Sequence, residues 1–231
     1  MQIKKVNPFL RSPLGVVTTI LKPRKYSEMS KSKVKYKYAQ DLAEAITPKM
    51  GEHYYCVVNG SFVFGDFIEA LIVENNWHVK EMSISTLGYN QNNVDSLKNL
   101  IDGGFLDKLN ILASAEFYGH ENGKELGAQT TKLIPYTYEE LNGHNQCAFQ
   151  LGFCDTHMKI VNIETHCGML VTIHGSANLR SSGNVEHFSI ECDEEMHEFN
   201  KEIFDALLNK CATIKKPLRK SAMWETINKD E

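Results

Sequence analysis

From Tyr54 onward, short continuous apolar runs alternate with apolar stripes at helical spacing, and few folds accommodate that alternation. Tyr54-Tyr55-Cys56-Val57-Val58 reads as a strand buried on both faces, with Asn59-Gly60-Ser61 as its turn. A helix is expected from Gly65, where Phe67/Leu71 and Ile68/Ile72 are i,i+4 pairs, and it should stop at Asn75-Asn76. Residues 79–87 alternate as a second strand with Met82, Ile84 and Thr86 on one side. Val94, Leu97, Leu100 and Ile101 then mark a helix closed by Gly103-Gly104, and residues 109–117 supply a third strand. Strand–helix–strand–helix order with short connections predicts an α/β fold: a mixed, largely parallel central sheet flanked by helices.

The rest is placed around this frame. Tyr36, Tyr38, Leu42 and Ile46 start an apolar helical stripe that Thr47-Pro48 stops. Residues 123–133 are expected to be helical and 135–145 a loop. Strands are expected over 148–153 and 157–163, followed by the second arm of a hairpin at 169–174 with Thr165-His166-Cys167-Gly168 as its turn. Met196, Phe199, Ile203, Leu207 and Lys210 trace a long amphipathic helix. The expected organisation is an arm at 1–37, one domain at 38–212 and a tail at 213–231.

Charge separates the arm from the body. Residues 1–37 carry ten Lys or Arg against Glu28 alone, so a net charge of −4 leaves −13 for the remainder. A basic arm on an acidic body points to a polyanion partner, nucleic acid or an anionic lipid surface, or else to a solvated leader. Pro8, Arg11 and Pro13 interrupt any secretory apolar core, and no stretch approaches the roughly 18 apolar residues of a membrane span. A cytoplasmic protein is expected. Its six scattered cysteines are expected to be free thiols, because a chain of this size buries a core without covalent staples.

Residues 155–186 carry the chemistry. His157 and Lys159 lie two apart, so in a strand they share a face; Ser176 and Asn178 share a parity on the returning arm. A hairpin would gather the four at one end of the sheet, near the C-terminal ends of parallel strands where α/β ligand sites lie. Lys and Asn donate to the oxygens of an anion and stabilise charge developing there. His serves as nucleophile or as general acid and base, and a carboxylate such as Glu186 would fix its tautomer. Glu164 has the opposite parity and should point elsewhere. Arg180 is a further candidate for substrate phosphate, with an ordinary surface arginine as the competing reading. Cys154-x-x-His157 with His166-Cys167 has metal-ligand spacing, but Cys154 and His157 fall on opposite faces, so no metal or other cofactor is expected.

His157-x-Lys159, four residues, an acid at Glu164, then Gly175-Ser176-x-Asn178 and Asn184-x-Glu186 resembles the HKD signature of the phospholipase D superfamily. That signature has Asp where Glu164 stands, and about six residues before the Gly where this chain has ten. Four extra residues add two to each arm of a hairpin and so preserve face parity. The resemblance covers about residues 54–210 and implies the family's half-domain. It implies a metal-independent phosphodiesterase: a His attacks phosphorus to give a phosphohistidine, the His of a second motif protonates the leaving oxygen, and water or an alcohol resolves the intermediate. His157 would take the histidine role, Lys159 and Asn178 would hold phosphoryl oxygens, Ser176 would support the pocket and Glu186 would orient His157. One motif is present where two are needed, so a homodimer with both motifs at its axis is expected. The basic arm favours a nucleic-acid substrate over membrane lipid. The alternatives are a phospholipid hydrolase or transferase, or a catalytically weak nucleic-acid- or phosphate-binding protein that keeps the fold.

Overall fold

The computed structural model describes residues 35–36, 39–58, 63–114, 128–154, 156–179, 185–210 and 212–213. Most of the arm, the tail beyond Thr213, and Arg180 lie outside the described residues. In chain order the elements are β1 (Lys35–Tyr36), α1 (Ala39–Glu44), β2 (His53–Val58), α2 (Phe64–Glu74), β3 (Val79–Thr86), α3 (Gln91–Asp102) and β4 (Lys108–Ser114). They continue with α4 (Ala128–Leu141), β5 (Ala148–Cys154), β6 (Ile160–Thr165), β7 (Leu170–Gly175), β8 (Glu186–Glu191), α5 (Glu194–Lys210) and β9 (Ala212–Thr213).

The strands form one nine-stranded mixed sheet in the order β1-β2-β8-β7-β6-β3-β4-β5-β9. Pairings β1–β2, β3–β4 and β4–β5 are parallel, and the other five are antiparallel. Strands β1 to β5 and β7 therefore run one way, and β6, β8 and β9 the other. One edge of the sheet collects the C-terminal ends of β2, β3, β4, β5 and β7 with the first residues of β6 and β8.

Each face of the sheet has its own cover. Ile84 is level with Ile111 and Leu151 on one side and with Val161, Ile173 and Ile190 on the other. This buried row meets Phe67, Ile68, Leu71 and Ile72 of α2, and Leu97, Leu100 and Ile101 of α3, in one hydrophobic cluster. On the opposite face α5 packs Phe204, Leu207 and Leu208 over Leu112, with Met158 and Ile160 at the margin. That face also buries polar groups, several of which bond one another. Asn110 Nδ2 donates to Ser83 Oγ at 3.0 Å, Thr172 Oγ1 to Asn162 Oδ1 at 2.7 Å, and Asn162 Nδ2 to the His197 carbonyl at 3.1 Å.

Three expectations from the sequence are corrected. Strand β2 is buried on one face only: Cys56 and Val58 face the core, but Tyr55 is 53% and Val57 43% exposed. Residues 135–141 belong to α4, not to a loop. Pro135 removes one helical hydrogen bond, yet Ile134, Tyr138 and Leu141 form a buried i, i+4, i+7 stripe that holds the helix through it. Strand β6 begins at Ile160, so His157, Met158 and Lys159 lead into it instead of lying within it. Glu186 opens strand β8, in which His187 is exposed and Phe188 and Ile190 are wholly buried.

Among the described cysteines all five are free. Burial pushes the Cys56 and Cys192 thiols up to about 12 and the Cys147 thiol to about 11. No helix among the described residues is long and apolar enough to cross a membrane.

Candidate active site at the C-terminal edge of the sheet

His157 and Lys159 precede β6, Ser176 and Asn178 follow β7, and Glu186 begins β8, so the topology delivers all five to one edge of the sheet. The hairpin register is explicit. Ile160 pairs with His174, and the Gly175 N–H reaches the Lys159 carbonyl at 3.4 Å, which extends the ladder to the residue before β6. The Ser85 hydroxyl of β3 donates to the Met158 carbonyl at 3.3 Å, and the Met158 N–H donates to Thr156 Oγ1 at 3.1 Å. The segment carrying His157 is thus tied to β3 and β7 without being a strand itself.

Gly175 is required by close approach. A Cβ there would lie 2.3 Å from the His187 carbonyl oxygen and 2.6 Å from the Phe188 Cα, so only glycine lets β7 run this close to β8. The closeness is used immediately. The Ser176 N–H donates to the His187 carbonyl at 2.9 Å, Ser176 Oγ accepts the His187 N–H at 3.0 Å, and the same hydroxyl donates to Glu186 Oε2.

Asn178 is held from the other side. Its Oδ1 accepts the Leu87 N–H at 3.2 Å, at the end of β3, and the neighbouring Leu179 N–H donates to Thr86 Oγ1 at 3.3 Å. A backbone N–H can only donate, so the bonded atom must be the amide oxygen and the Asn178 N–H₂ becomes the end offered to a ligand. Lys159 Nζ donates to the His157 carbonyl at 3.2 Å, and among the described residues Lys159 has no carboxylate partner. His157 is exposed, and Lys159 and Glu186 are half-buried. One cation, one amide donor end and one imidazole therefore border the same edge, a set suited to an anion with several oxygens.

Two neighbours take structural places. Glu164 is at the turn end of the hairpin, where Oε1 pairs with Lys80 Nζ at 2.5 Å, on the opposite face as its parity requires. His174 Nε2 bonds the buried Glu191 carboxylate at 2.7 Å. Sequence reasoning missed the groups that hold Asn178, Thr86 and Leu87, which carry no motif of their own. The Ser176–Glu186 bond was legible only in the alternation of residues 186–191.

No family model matches the sequence, and no curated protein is significantly similar to it. Solved structures do match. Phosphatidylserine synthase from Haemophilus influenzae is similar with a TM-score of 0.51 at 11% identity, over 75% of this chain and 43% of that one. A phospholipase D family member, Nuc from Salmonella typhimurium, aligns at TM-score 0.48 and 11% identity, over 71% of this chain and all of that one. NucT from Helicobacter pylori aligns at TM-score 0.43 and 15% identity, over 71% of this chain and all of that one. The fold, a mixed sheet flanked by helices, is similar to that of the synthase.

Proposed function

We propose that this chain is a metal-independent phosphodiesterase, a nuclease, working through a phosphohistidine at the interface of a homodimer. The observation that carries the reading is the convergence of His157, Lys159, Ser176, Asn178 and Glu186 at one sheet edge, with the Asn178 amide fixed so that it donates. In the first step the His157 imidazole attacks phosphorus and a P–N bond forms as the bond to the leaving oxygen breaks. That oxygen takes a proton from the partner's His157. In the second step a water gives a proton back to the same imidazole and attacks phosphorus, which releases His157 and restores both rings. Lys159 and Asn178 hold the non-bridging oxygens and stabilise the charge that develops on them. Ser176 and Glu186 keep the loop after β7 in place beside His157.

A single motif supplies one histidine, so the second must come from a second copy. An exposed apolar strip lies next to the site: Tyr55 and Val57 on β2, and Val185, 73% exposed, beside Glu186. The basic arm at 1–37 supports nucleic acid as the substrate class. The test is cleavage of labelled single- and double-stranded DNA and RNA, with a phosphodiester dye, in the presence of EDTA. EDTA-resistant cleavage that disappears in His157→Ala is expected. Binding without turnover on every substrate would replace the reading with a binding protein. Full activity of a protein that sediments as a monomer would remove the two-copy mechanism.

A further inference from the structure

At the opposite edge of the sheet from His157, three other side chains converge. His78 precedes β3, Asp107 precedes β4, and His166 lies in the turn between β6 and β7. His78 Nε2 is 2.9 Å from Asp107 Oδ1, and His166 Nε2 is 2.6 Å from Asp107 Oδ2. The two imidazole centroids are 4.8 Å apart, and all three potential ligand atoms lie within 4.8 Å of one another. The side chains are about half exposed, but their backbones are pinned. The His166 N–H donates to the His78 carbonyl at 2.9 Å, the Asp107 N–H to the Val79 carbonyl at 3.0 Å, and the Ala148 N–H to the Asp107 carbonyl at 2.8 Å.

We infer that His78, Asp107 and His166 form a binding site for a first-row divalent cation of the zinc type. Two imidazole nitrogens and one carboxylate oxygen are the donor set that zinc accepts with a fourth position left to water. Calcium and magnesium prefer all-oxygen sets and should not compete. Both rings place Nε2 toward Asp107, and the bond from His166, together with that from His78, holds the Asp107 carboxyl below its usual range against the opposing effect of burial. For ligation each ring moves its proton to Nδ1 and turns the Nε2 lone pair inward. Bonds of about 2.0–2.2 Å to a tetrahedral ion set ligand atoms somewhat over 3 Å apart. The two His–Asp pairs, at 2.9 and 2.6 Å, therefore need to open by roughly half an ångström to somewhat under one, which exposed side chains on fixed backbones can do.

The site would act as a clip. It joins the β6–β7 turn to the segments that enter β3 and β4, and so fixes the far end of the hairpin whose near end carries Lys159 and Ser176. At about 3.3 Å per residue the eight residues of β3 put roughly 25 Å between the two edges, so the cation takes no part in the proposed phosphoryl chemistry.

The full-length protein, stripped with EDTA and dialysed, is titrated with Zn²⁺ against a chromophoric chelator of micromolar affinity. One equivalent should bind with a micromolar or tighter Kd. Affinity should fall at least tenfold in Asp107→Asn and in His166→Ala, and should be retained in Cys167→Ser. Excess Mg²⁺ or Ca²⁺ should leave the titration unchanged. The Co²⁺-loaded protein should lack a thiolate charge-transfer band. Circular dichroism of the variants establishes that they are folded. Absence of stoichiometric binding, unchanged affinity in both ligand variants, or a thiolate band would overturn the site. Nuclease activity in Asp107→Asn is read separately: it should persist with or without Zn²⁺, so failure of the clip and failure of the proposed reaction are distinguishable.

Discussion

Ser176 donates its hydroxyl proton to the Glu186 carboxylate and takes the His187 N–H on the same oxygen at 3.0 Å. One hydroxyl thereby closes the junction between β7 and β8 beside the histidine that the proposed reaction uses. A hydrogen bond to a charged group contributes about 1.5–3 kcal/mol, which corresponds to roughly a ten- to hundredfold effect if it is lost at the rate-determining geometry. Ser176→Ala and Glu186→Ala should each lower kcat by that factor. The double variant should lose little more than either single one, since they break one shared contact. A fully additive double variant would show that the two residues act independently.

Asn178 offers a sharper test of anion binding. Asn178→Asp retains an oxygen for the Leu87 N–H but replaces the amide donor with a second anionic oxygen. The protein should remain folded, with a melting temperature within a few degrees of wild type. Removing one preorganised donor from a developing oxyanion costs about 10²–10³ in kcat, and the added negative charge should deepen the loss in kcat/KM. Wild-type turnover in Asn178→Asp would place the substrate phosphate elsewhere.

Gly175 is expected to be intolerant for a backbone reason. Gly175→Ala would put a methyl 2.3 Å from the His187 carbonyl and 2.6 Å from the Phe188 Cα, and neither atom belongs to a movable side-chain tip. Forcing the strands apart costs typically about 1–3 kcal/mol. The substitution should therefore lower the urea midpoint and cut kcat together, because the same displacement carries Ser176 away from Glu186. Unchanged urea unfolding would mean that β7 and β8 separate freely.

Legibility in the sequence followed the kind of signal each part leaves. Periodicity located α2, α3 and β3, because their apolar stripes meet one continuous core, and α5, whose Phe204, Leu207 and Leu208 pack in a second cluster on the opposite face. It failed for α4, where Pro135 reads locally as a breaker but the buried stripe Ile134, Tyr138, Leu141 decides the outcome. It also misjudged β2, since an apolar residue such as Val57 looks the same in sequence whether or not a helix covers it. Spacing singled out the candidate residues His157, Lys159, Ser176, Asn178 and Glu186, whereas Glu164 pairs with Lys80 at the turn end of the hairpin. The partners of Asn178 were not legible, because Thr86 and Leu87 lie about ninety residues earlier and meet it only through the β3–β6–β7 order of the sheet.

The second layer of the fold should titrate through His197. This residue of α5 is 2% exposed, its carbonyl accepts Asn162 Nδ2, and its ring faces the charged groups Glu198, Glu164 and Lys201. Burial lowers its pKa below the ordinary 6.5, more than its hydrogen bond and attraction to Glu198 and the attraction to Glu164 can restore. The unfolded chain, with an ordinary histidine, therefore binds more protons than the folded protein just below pH 6.5, and stability rises with pH where that is so. The contribution is complete above about pH 6.5 and declines as the pH falls from there toward the lower folded value, beneath which it changes no further. Urea midpoints of the wild-type protein should drop on passing from about pH 7.5 to about pH 5.5, whereas His197→Gln, which does not titrate, should show a flatter profile over the same interval. Parallel profiles for the two proteins would assign the acid sensitivity to other groups and remove His197 as its source.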